Sequence, residues 1–456
     1  MMRSLLQTAV AVLTATTLAG RADAKLYGYT ANEGENTVSV IDTDTNTEVR
    51  KITVGSRPLR LTVSPDGKRL YVTNSSSGTL SVIDVETHAV IATIPVGQSP
   101  QEVTVRPDGL EVWVSNQGTD TISIIDPVTL TVIETITRPS SPGSFVFTPD
   151  SRWAYLKYST GFDVMDVATR TVVNSIEMGA SPRRMTITRD GRHVYGSDYT
   201  AGKVAIVDTE TQSLITILTT APGARGCDES PNGQWVYSTS TLSKSVGAID
   251  NVNATLSGMI NVGTTPWSTA FTLDSAFAYV CNAGDNTVSI IDTATRQVVK
   301  TIGVGRGSFW WAITPDGSRL YLTNPPDGTV SVISTATQSV IATIPVGRAC
   351  WKIVLVDGPE VTPPAAPDIA SVAPVTITRN AVTQLTVHGS GFVQGCSTSI
   401  SPANRGTRIT ATQFIDSQTL VLTISTTATA RRGAYSLTVR NVDGQTDTLA
   451  DAFAVQ

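Results

Sequence analysis

Cationic and aromatic residues accumulate at one recurring position of this chain. A proline recurs about every 42 residues, as at Pro58 and Pro100, and the two residues that follow it vary from repeat to repeat. Guanidinium and ammonium groups attract anions, and tryptophan rings stack on flat groups. The candidate ligand-binding residues at this position are Arg60, Arg183, Arg184, Arg225, Trp267, Phe309, Trp310, Trp351 and Lys352. They predict a site for an anionic or aromatic ligand.

The same residues admit other interpretations. Glu102 and Asp228 dilute the positive charge, and Trp267 or Phe309 would also serve as packing that fills the centre of a ring. Trp311 lies one step deeper, in a register that aliphatic residues hold in other repeats, so it is predicted to be core. Aromatic platforms beside cations are also typical of proteins that bind single-stranded nucleic acid. A purely structural role without a ligand is the remaining alternative.

Residues that would carry catalysis or hold a metal are sparse. The three histidines, His88, His193 and His388, lie far apart in the repeat pattern, so they are not expected to converge on one ion. The sequence motifs of serine hydrolases, P-loop proteins and zinc proteases are absent. The sequence therefore predicts no catalytic residue, no metal and no cofactor, and favours binding over catalysis. A lactonase-like or lyase-like enzyme that acts on a small substrate is the alternative.

A repeat of about 42 residues must position these side chains. The tetrapeptide Tyr71-Val72-Thr73-Asn74 has counterparts at successive spacings of 42 residues, apart from one spacing of 40. An apolar strand that ends in aspartate recurs in step with it. Turn residues such as Pro65-Asp66-Gly67 divide each repeat into four short strands. In the second repeat these strands are predicted at Leu59–Ser64, Leu70–Asn74, Leu80–Asp84 and Val90–Val96.

Four antiparallel strands per repeat are typical of a β-propeller blade. The first repeat begins in mid-pattern at Leu26–Asn32, and Trp351–Val356 matches an inner strand without the rest of a repeat. Together they complete one blade, so the ring is predicted to close by pairing of the chain ends, which removes free sheet edges. The sequence therefore predicts an all-β fold with a propeller of eight blades, with seven as the alternative count.

The recurring aspartate is predicted to be structural. At the first position of a turn its side chain accepts hydrogen bonds from backbone amides. The segment Asp42-Thr43-Asp44-Thr45-Asn46 has the spacing of a calcium loop, but Thr47 and Thr53 stand where such a loop needs glycine and glutamate. It is therefore predicted to be a solvated turn.

Four motifs recur around the array: Tyr71–Asn74, Ser81–Asp84, Ile94–Gly97 and Ser64–Gly67. In these motifs, and over about residues 25–357, the chain resembles the YVTN-family β-propeller repeat proteins of exported bacterial and archaeal surface proteins. The resemblance implies the propeller fold and a role in the cell envelope, in adhesion, scaffolding or polyanion binding. The partner that it implies is an unidentified envelope protein or a polyanionic ligand, with nucleic acid as a further candidate.

Residues 1–24 are typical of a signal peptide. Arg3 precedes an apolar run, and Ala22-Asp23-Ala24 is a cleavage motif. The protein is therefore predicted to be exported, either to a periplasm or to the cell surface and medium. Its formal net charge of −5 does not favour general binding of nucleic acid or anionic membranes.

The C-terminal part differs from the repeats. Residues 358–367 contain four prolines and are predicted to be a linker. Residues 368–456 are predicted to form a small β-sandwich, and segments such as Leu385–Phe392 and Gly433–Val439 resemble an IPT/TIG immunoglobulin-like domain. The resemblance implies a spacer or a protein-contact module. The four cysteines are predicted to be buried thiols, with one disulfide of open pairing as the alternative: Cys227, Cys281, Cys350 and Cys396.

Overall fold

The computed structural model describes residues 25–138, 142–158, 160–179, 182–359, 366–393, 396–403, 406–441 and 445–456. The predicted signal peptide and most of the predicted linker lie outside the described residues. The chain divides into two compact units, Met1–Glu360 and Val361–Gln456. Within the described ranges every regular element is a β-strand, which confirms the predicted all-β fold. In those ranges there is also no helix with the length and apolarity that a bilayer span requires.

The first unit contains eight four-stranded sheets in its described residues. Sheet 1 begins with β1 (Lys25–Asn32), β2 (Thr37–Asp42) and β3 (Thr47–Thr53). Sheet 2 consists of β4 (Pro58–Val63), β5 (Arg69–Asn74), β6 (Thr79–Asp84) and β7 (Ala89–Pro95). Sheet 3 consists of β8 (Pro100–Val105), β9 (Val112–Asn116), β10 (Thr121–Asp126) and β11 (Thr131–Thr137). Sheet 4 consists of β12 (Phe145–Phe147), β13 (Trp153–Lys157), β14 (Gly161–Asp166) and β15 (Thr171–Glu177).

The remaining sheets repeat this order. Sheet 5 consists of β16 (Arg184–Ile187), β17 (His193–Asp198), β18 (Lys203–Asp208) and β19 (Ser213–Thr219). Sheet 6 consists of β20 (Ala224–Glu229), β21 (Trp235–Ser240), β22 (Ser245–Asp250) and β23 (Thr255–Asn261). Sheet 7 consists of β24 (Pro266–Phe271), β25 (Phe277–Asn282), β26 (Thr287–Asp292) and β27 (Gln297–Gly303). Sheet 8 consists of β28 (Trp311–Ile313), β29 (Arg319–Asn324), β30 (Thr329–Ser334) and β31 (Ser339–Pro345), and β32 (Cys350–Gly358) follows it.

The last strand of this unit pairs with the first. β32 runs antiparallel to β1 from Lys25↔Gly358 to Asn32↔Cys350, so sheet 1 has the order β3-β2-β1-β32. The two chain ends thus pair as the sequence predicts. The innermost strands are β4, β8, β12, β16, β20, β24, β28 and β32, and seven of their eight neighbouring pairs are in close contact from sheet to sheet. This contact is weakest between β8 and β12.

One large aromatic side chain per sheet is wholly buried at the first position of the tetrapeptide motif. It packs between neighbouring sheets: Tyr71 contacts Val103 and Val114 of sheet 3, and Tyr321 of sheet 8 contacts Ile353 of sheet 1. Burial of aromatic rings is a large favourable term, and aromatic and β-branched residues favour strands. The eight residues are Tyr29, Tyr71, Trp113, Tyr155, Tyr195, Tyr237, Tyr279 and Tyr321.

The recurring aspartates cap turns, which confirms the structural interpretation. Asp84 Oδ1 accepts the Thr87 N–H at 2.8 Å, and Asp292 Oδ1 accepts the Thr295 N–H at 2.8 Å. These backbone hydrogen bonds stabilise the ionised carboxylate, and at Asp292 they lower the pKa.

In five of the eight sheets that the structure describes in the first unit, a buried asparagine packs against a glycine that follows the last strand of the preceding sheet. Asn324 Nδ2 donates to Thr329 Oγ1 (3.1 Å) and Ser331 Oγ (2.9 Å), and four other sheets repeat this pair of bonds. Gly305, which follows the last strand of sheet 7, lies against this asparagine. A Cβ at Gly305 would stand 2.6 Å from Asn324 Cγ, so this contact requires a residue without a side chain.

We expect Gly305→Ala to lower the free energy of unfolding by about 1–3 kcal/mol, because the added methyl group overpacks against Asn324. Gly303→Ala is the matched control, since a Cβ at Gly303 meets nothing within 4 Å. Urea unfolding of the two variants and the wild type measures both changes. If both variants lose the same free energy of unfolding, the contact between Gly305 and Asn324 does not explain the loss in Gly305→Ala.

The second unit contains two four-stranded sheets in its described residues, with the orders β33-β35-β38-β37 and β34-β40-β39-β36. Apolar side chains from both sheets, among them Leu385, Leu422, Leu437 and Phe453, form one core. This arrangement is that of a small β-sandwich. The strands are β33 (Asp368–Ala373), β34 (Thr376–Ile377), β35 (Val382–Ser390), β36 (Ser397–Ser401), β37 (Thr407–Asp416), β38 (Thr419–Thr426), β39 (Gly433–Arg440) and β40 (Thr446–Val455).

All four cysteines are free thiols. Burial raises the pKa of Cys227 and Cys350 to about 12 and that of Cys281 to about 11. Cys396 is half-buried in the second unit. The prediction of buried thiols is confirmed for three of the four cysteines, and the alternative of a disulfide is wrong for this structure.

Candidate ligand-binding site

Side chains from the innermost strands converge on a cavity of about 280 Å³. The second variable residue after each proline position belongs to the innermost strand or directly precedes it. Residues at one register of neighbouring strands point to the same side of the sheet. Six of the eight residues at this register line the cavity: Arg60, Glu102, Ser144, Arg184, Trp310 and Lys352. The other two are the small residues Gly226 and Ser268.

The cavity has a cationic part and an apolar part. Arg60, Arg184 and Lys352 supply positive charge, and Glu102 is the one carboxylate among the lining residues. The apolar part includes Val105, Pro107, Phe145, Val146, Phe147, Met185 and Ile187.

Trp310 contacts two of the cations. The guanidinium carbon of Arg184 lies 4.3 Å from the centroid of the Trp310 ring, and that of Arg60 lies 4.8 Å from it. These arginines come from sheets 5 and 2, whereas Trp310 directly precedes β28 of sheet 8. Trp310 Nε1 and Arg60 Nη1 are buried and have no acceptor among the residues that the structure describes. A buried donor without an acceptor is costly, and such groups are rare outside functional sites.

The three cations that line the cavity, Arg60, Arg184 and Lys352, repel one another, and this repulsion disfavours the charged forms of Arg60 and Lys352. Burial lowers the pKa of Arg60 and of Lys352, and the charge of the neighbouring Arg184 lowers both. The charge of Glu102 raises the pKa of both groups, and its Oε2 lies 3.9 Å from Arg60 Nε. One carboxylate does not neutralise three cations, so a bound anion would relieve the remaining repulsion.

A second carboxylate, Asp228, lies near Arg184. Its Oδ2 accepts the Thr269 N–H at 2.8 Å. Burial raises the pKa of Asp228, and the charge of Arg184 opposes this change. Even with Asp228 and Glu102 both ionised, the local cations outnumber the carboxylates.

Three aromatic residues form a row along neighbouring sheets. The rings of Trp267 and Phe309 have centroids 4.3 Å apart, and Phe309 stacks on Trp351 at 5.2 Å. The Arg225 guanidinium covers Trp267 at 3.3 Å from the ring centroid, and Trp351 Nε1 donates to Glu33. These rings therefore pack on one another, as the packing interpretation predicts, and they remain half-buried.

Arg183 and Arg225 connect this row to the cavity. Arg183 is exposed and lies over the Tyr199 ring at 4.9 Å. Burial lowers the pKa of Arg225 to about 10, and the charges of Arg183, Arg184 and Arg60 add to the effect. The nine predicted site residues thus fall into a cavity group and an adjacent row group. The cavity group is Arg60, Arg184, Trp310 and Lys352, and the row group is Arg183, Arg225, Trp267, Phe309 and Trp351.

The hydroxyl at the third position of the tetrapeptide motif holds several of these residues in place. Thr323 Oγ1 donates to the Trp351 carbonyl at 2.7 Å and accepts the Trp310 N–H at 3.3 Å. Ser197 Oγ donates to the Arg225 carbonyl at 2.6 Å in the same way. A residue that repeats from sheet to sheet therefore fixes the backbone of residues that vary.

The arginines that flank the site lie in rim contacts and do not line the cavity. Arg57 Nε pairs with Glu33 Oε1 at 2.6 Å, and Arg306 Nε pairs with Asp327 Oδ1 at 2.5 Å. Trp311 is half-buried and packs against the core between sheets 7 and 8, as predicted.

The histidines lie elsewhere. His88 is buried with Nδ1 2.7 Å from the Tyr29 hydroxyl, and His193 Nδ1 is 3.1 Å from Asn251 Oδ1. His388 belongs to the second unit. In the part of the chain that the structure describes, no three His, Cys, Asp or Glu residues are gathered as they would be around a metal ion.

Two family models match parts of the chain. One, described as a YNCE-like beta-propeller, matches residues 4–96. The other, described as the Cytochrome D1 heme domain, matches residues 142–240, which include Arg183, Arg184 and Arg225. No curated protein matches the chain in sequence.

Solved structures extend the similarity. Dihydro-heme d1 dehydrogenase NirN, in complex with DHE, is 16% identical over 72% of this chain and 74% of its own, with a TM-score of 0.63. Apo AztD from Citrobacter koseri is 15% identical over 74% of this chain and 100% of its own, with a TM-score of 0.57. The first unit is a β-propeller. Hydrazine synthase of Kuenenia stuttgartiensis is also similar in structure. It is 21% identical over 61% of this chain and 96% of its own, with a TM-score of 0.50. At such identities the similarity concerns the fold.

Proposed function

We propose that this protein is an exported, non-enzymatic binding protein whose propeller holds a small anion at the cavity group. The observation that carries this proposal is the excess of half-buried positive charge around a cavity. Arg60, Arg184 and Lys352 face Glu102 alone among the lining residues, and two buried N–H donors lack acceptors. A carboxylate or phosphate supplies both the negative charge and the missing acceptors.

A small anion fits better than a polyanion. The cavity volume of about 280 Å³ suits a small molecule rather than a polymer, and the chain is acidic overall, with a formal net charge of −5. The row group lies beside the cavity and offers a short surface for a partner or for part of a larger ligand. An envelope scaffold and a single-stranded nucleic-acid binder therefore rank below the small-anion binder.

The experiment is a titration of the chain that begins at Lys25 with inorganic phosphate and acetate, at constant ionic strength. Acetamide, which matches acetate in shape but carries no charge, is the control ligand. We expect a saturable rise in the unfolding temperature with both anions, because a ligand that binds only the folded state stabilises it. A saturable change in tryptophan emission, lost in Trp310→Phe, would place binding at the cavity. Equal responses to acetate and acetamide would contradict the proposal.

We expect the affinity for the anion to fall as pH rises through the lowered pKa of Lys352. Burial lowers this pKa from 10.5 in the free site, and a bound anion would raise it again. The affinity is therefore full below the free-state pKa and declines between the free and the bound values. Loss of one charged hydrogen bond corresponds to about a tenfold weaker affinity.

Lys352→Arg is the control for this pH dependence. The pKa of a free guanidinium lies about two units or more above that of an ammonium, so this variant should keep its affinity to a higher pH than the wild type does. Calorimetric titrations at a series of pH values measure both profiles. A decline of the same size in Lys352→Arg would assign the pH dependence to another group.

A tetrapyrrole is a second candidate ligand, favoured by the match of residues 142–240 to the haem domain family. Its carboxylate groups suit the cationic lining, and its flat ring suits stacking on the row group. No histidine lines the cavity, so the residues do not fit histidine ligation of a haem iron. Metal-free protoporphyrin should then bind through its carboxylates, and its dimethyl ester should not. Equal absorbance changes with the acid and the ester would exclude this mode.

We also propose the finer architecture that the sequence predicts. Residues 25–357 would be an eight-bladed ring of the YVTN kind, supported by eight sheets and the β1–β32 pairing. Residues 368–456 would be an IPT/TIG-like domain, supported by the two-sheet core. Residues 1–24 would be removed on export, which N-terminal sequencing of the secreted product tests by finding Lys25 first.

A further inference from the structure

The apolar part of the cavity indicates what kind of anion the site takes. Beyond the cations, the wall is formed by Phe147, Met185 and Ile187, with Val105 and Val146 beside them. A site for a bare inorganic anion would surround it with polar donors. Ligand sites that bury an organic molecule are instead mostly apolar, with a few polar groups that fix its orientation.

The apolar part lies at the weakest seam of the ring. β8 and β12 are the neighbouring innermost strands with the least contact between them, and β12 is only three residues long. Gly143 and Ser144 stand before β12, and sheet 4 is the one described sheet of the first unit that carries small residues at both of these positions. Small residues and a short strand thus leave space between sheets 3 and 4 that the core does not fill.

The wall beneath this space is rigid. Phe145 and Phe147 are 3% and 4% exposed, and Trp113 packs edge-on against Phe147 at a centroid distance of 5.0 Å. Met185 belongs to the same core cluster. A ligand that enters this space would therefore meet a preformed apolar surface and lose little free energy in ordering it.

We propose that the ligand is an amphipathic carboxylate, whose head binds Arg60, Arg184 and Lys352 and whose hydrocarbon body lies in the space between sheets 3 and 4. This inference rests on the proposed anion site and adds the chemical class of the ligand. The two parts of the cavity then act on different parts of one molecule: the cations bind and orient the charged end, and the apolar wall adds affinity in proportion to the length of the hydrocarbon body.

The test compares acetate, butyrate and hexanoate by isothermal titration calorimetry on the chain that begins at Lys25, with hexanamide as the uncharged control. We expect the affinity to rise about fourfold for each added methylene, because each buries its surface against the wall. Binding of hexanoate should also show a more negative heat-capacity change than binding of acetate. Hexanamide should bind far more weakly than hexanoate.

A conservative variant examines the wall directly. Val146→Thr keeps the shape of the side chain but places a hydroxyl in the apolar space, so hexanoate should bind roughly tenfold more weakly while acetate is unchanged. Val173→Thr, at a position 50% exposed on β15, is the matched control and should change neither affinity.

The outcomes separate the two proposals. Equal affinities for acetate and hexanoate would overturn the amphipathic ligand and leave the anion site intact. Hexanamide that binds as tightly as hexanoate would overturn the role of the cations, and the proposed function with it. If no carboxylate and no phosphate binds at millimolar concentration, both proposals are wrong.

Discussion

The Arg60→Gln/Arg184→Gln variant is expected to lose at least about 100-fold in affinity for phosphate and for carboxylates. Each guanidinium would donate charge-assisted hydrogen bonds to the anion, and each such bond contributes about 1.5–3 kcal/mol. The two arginines come from sheets 2 and 5 and meet over the ring of Trp310, so they would act on the same ligand. Lys352 alone would keep only weak binding.

The same variant should fold as well as the wild type. Burial lowers the pKa of Arg60, and the charge of Arg184 lowers it further, so these cations repel one another in the free protein. Removing two of them relieves this repulsion and costs two cation–π contacts of about 1 kcal/mol each. The unfolding temperature without ligand should therefore change little, while the rise that phosphate produces disappears.

Arg152→Gln is the matched control for this experiment. Arg152 also lies over an indole, that of Trp153, at 4.6 Å, but it is exposed and does not line the cavity. The control should keep the full affinity for phosphate. If the double variant binds as the wild type does, the cavity cations are structural and the packing interpretation of Trp310 prevails.

Much of the fold follows from local patterns that the sequence repeats. Each repeat carries its own turn residues and its own cap, an aspartate in seven repeats and Ser334 in the eighth, so strand positions are set within a few residues of chain. The predicted strand Leu59–Ser64 is observed as Pro58–Val63, a shift of a single position. The half-repeats at the two chain ends predict the β1–β32 pairing, because an incomplete sheet needs its missing strand.

The site is less accessible to sequence reasoning. The register after each proline identifies six of the residues that line the cavity, because that rule is local. It does not reveal that Trp310 reaches both Arg60 and Arg184, since this depends on the distances between sheets 2, 5 and 8. The apolar wall was missed for a related reason: Phe147 and Met185 occupy ordinary core positions, and only the small residues Gly143 and Ser144 signal the space beside them.

A chain from Lys25 to Gly347 is expected to lose its cooperative unfolding transition, whereas a chain from Lys25 to residue 360 should retain it. The shorter chain lacks β32, which pairs with β1 at seven residue positions. It also loses the buried side chains of Cys350, Ile353 and Val356. Truncation of one buried aliphatic side chain costs about 2–5 kcal/mol, so the loss approaches the 5–15 kcal/mol that holds a typical domain folded.

The reason for so large an effect is that β32 completes a sheet and also joins sheet 1 to sheet 8. Ile353 packs with Tyr321 and Ile344 of sheet 8, so without it the contact between the first and last sheets is reduced to contacts such as those of Ile41 and the Tyr321–Asn46 hydrogen bond. β1 becomes an exposed edge that would pair with other molecules, and the shorter chain should aggregate.

Thermal unfolding and light scattering of the two chains measure this difference. Adding a peptide of residues 348–360 should restore the transition, because the strand contributes by pairing and burial rather than by chain connection. A shorter chain that unfolds cooperatively at the midpoint of the longer one would show that β32 and its pairing with β1 are dispensable for the stability of the first unit.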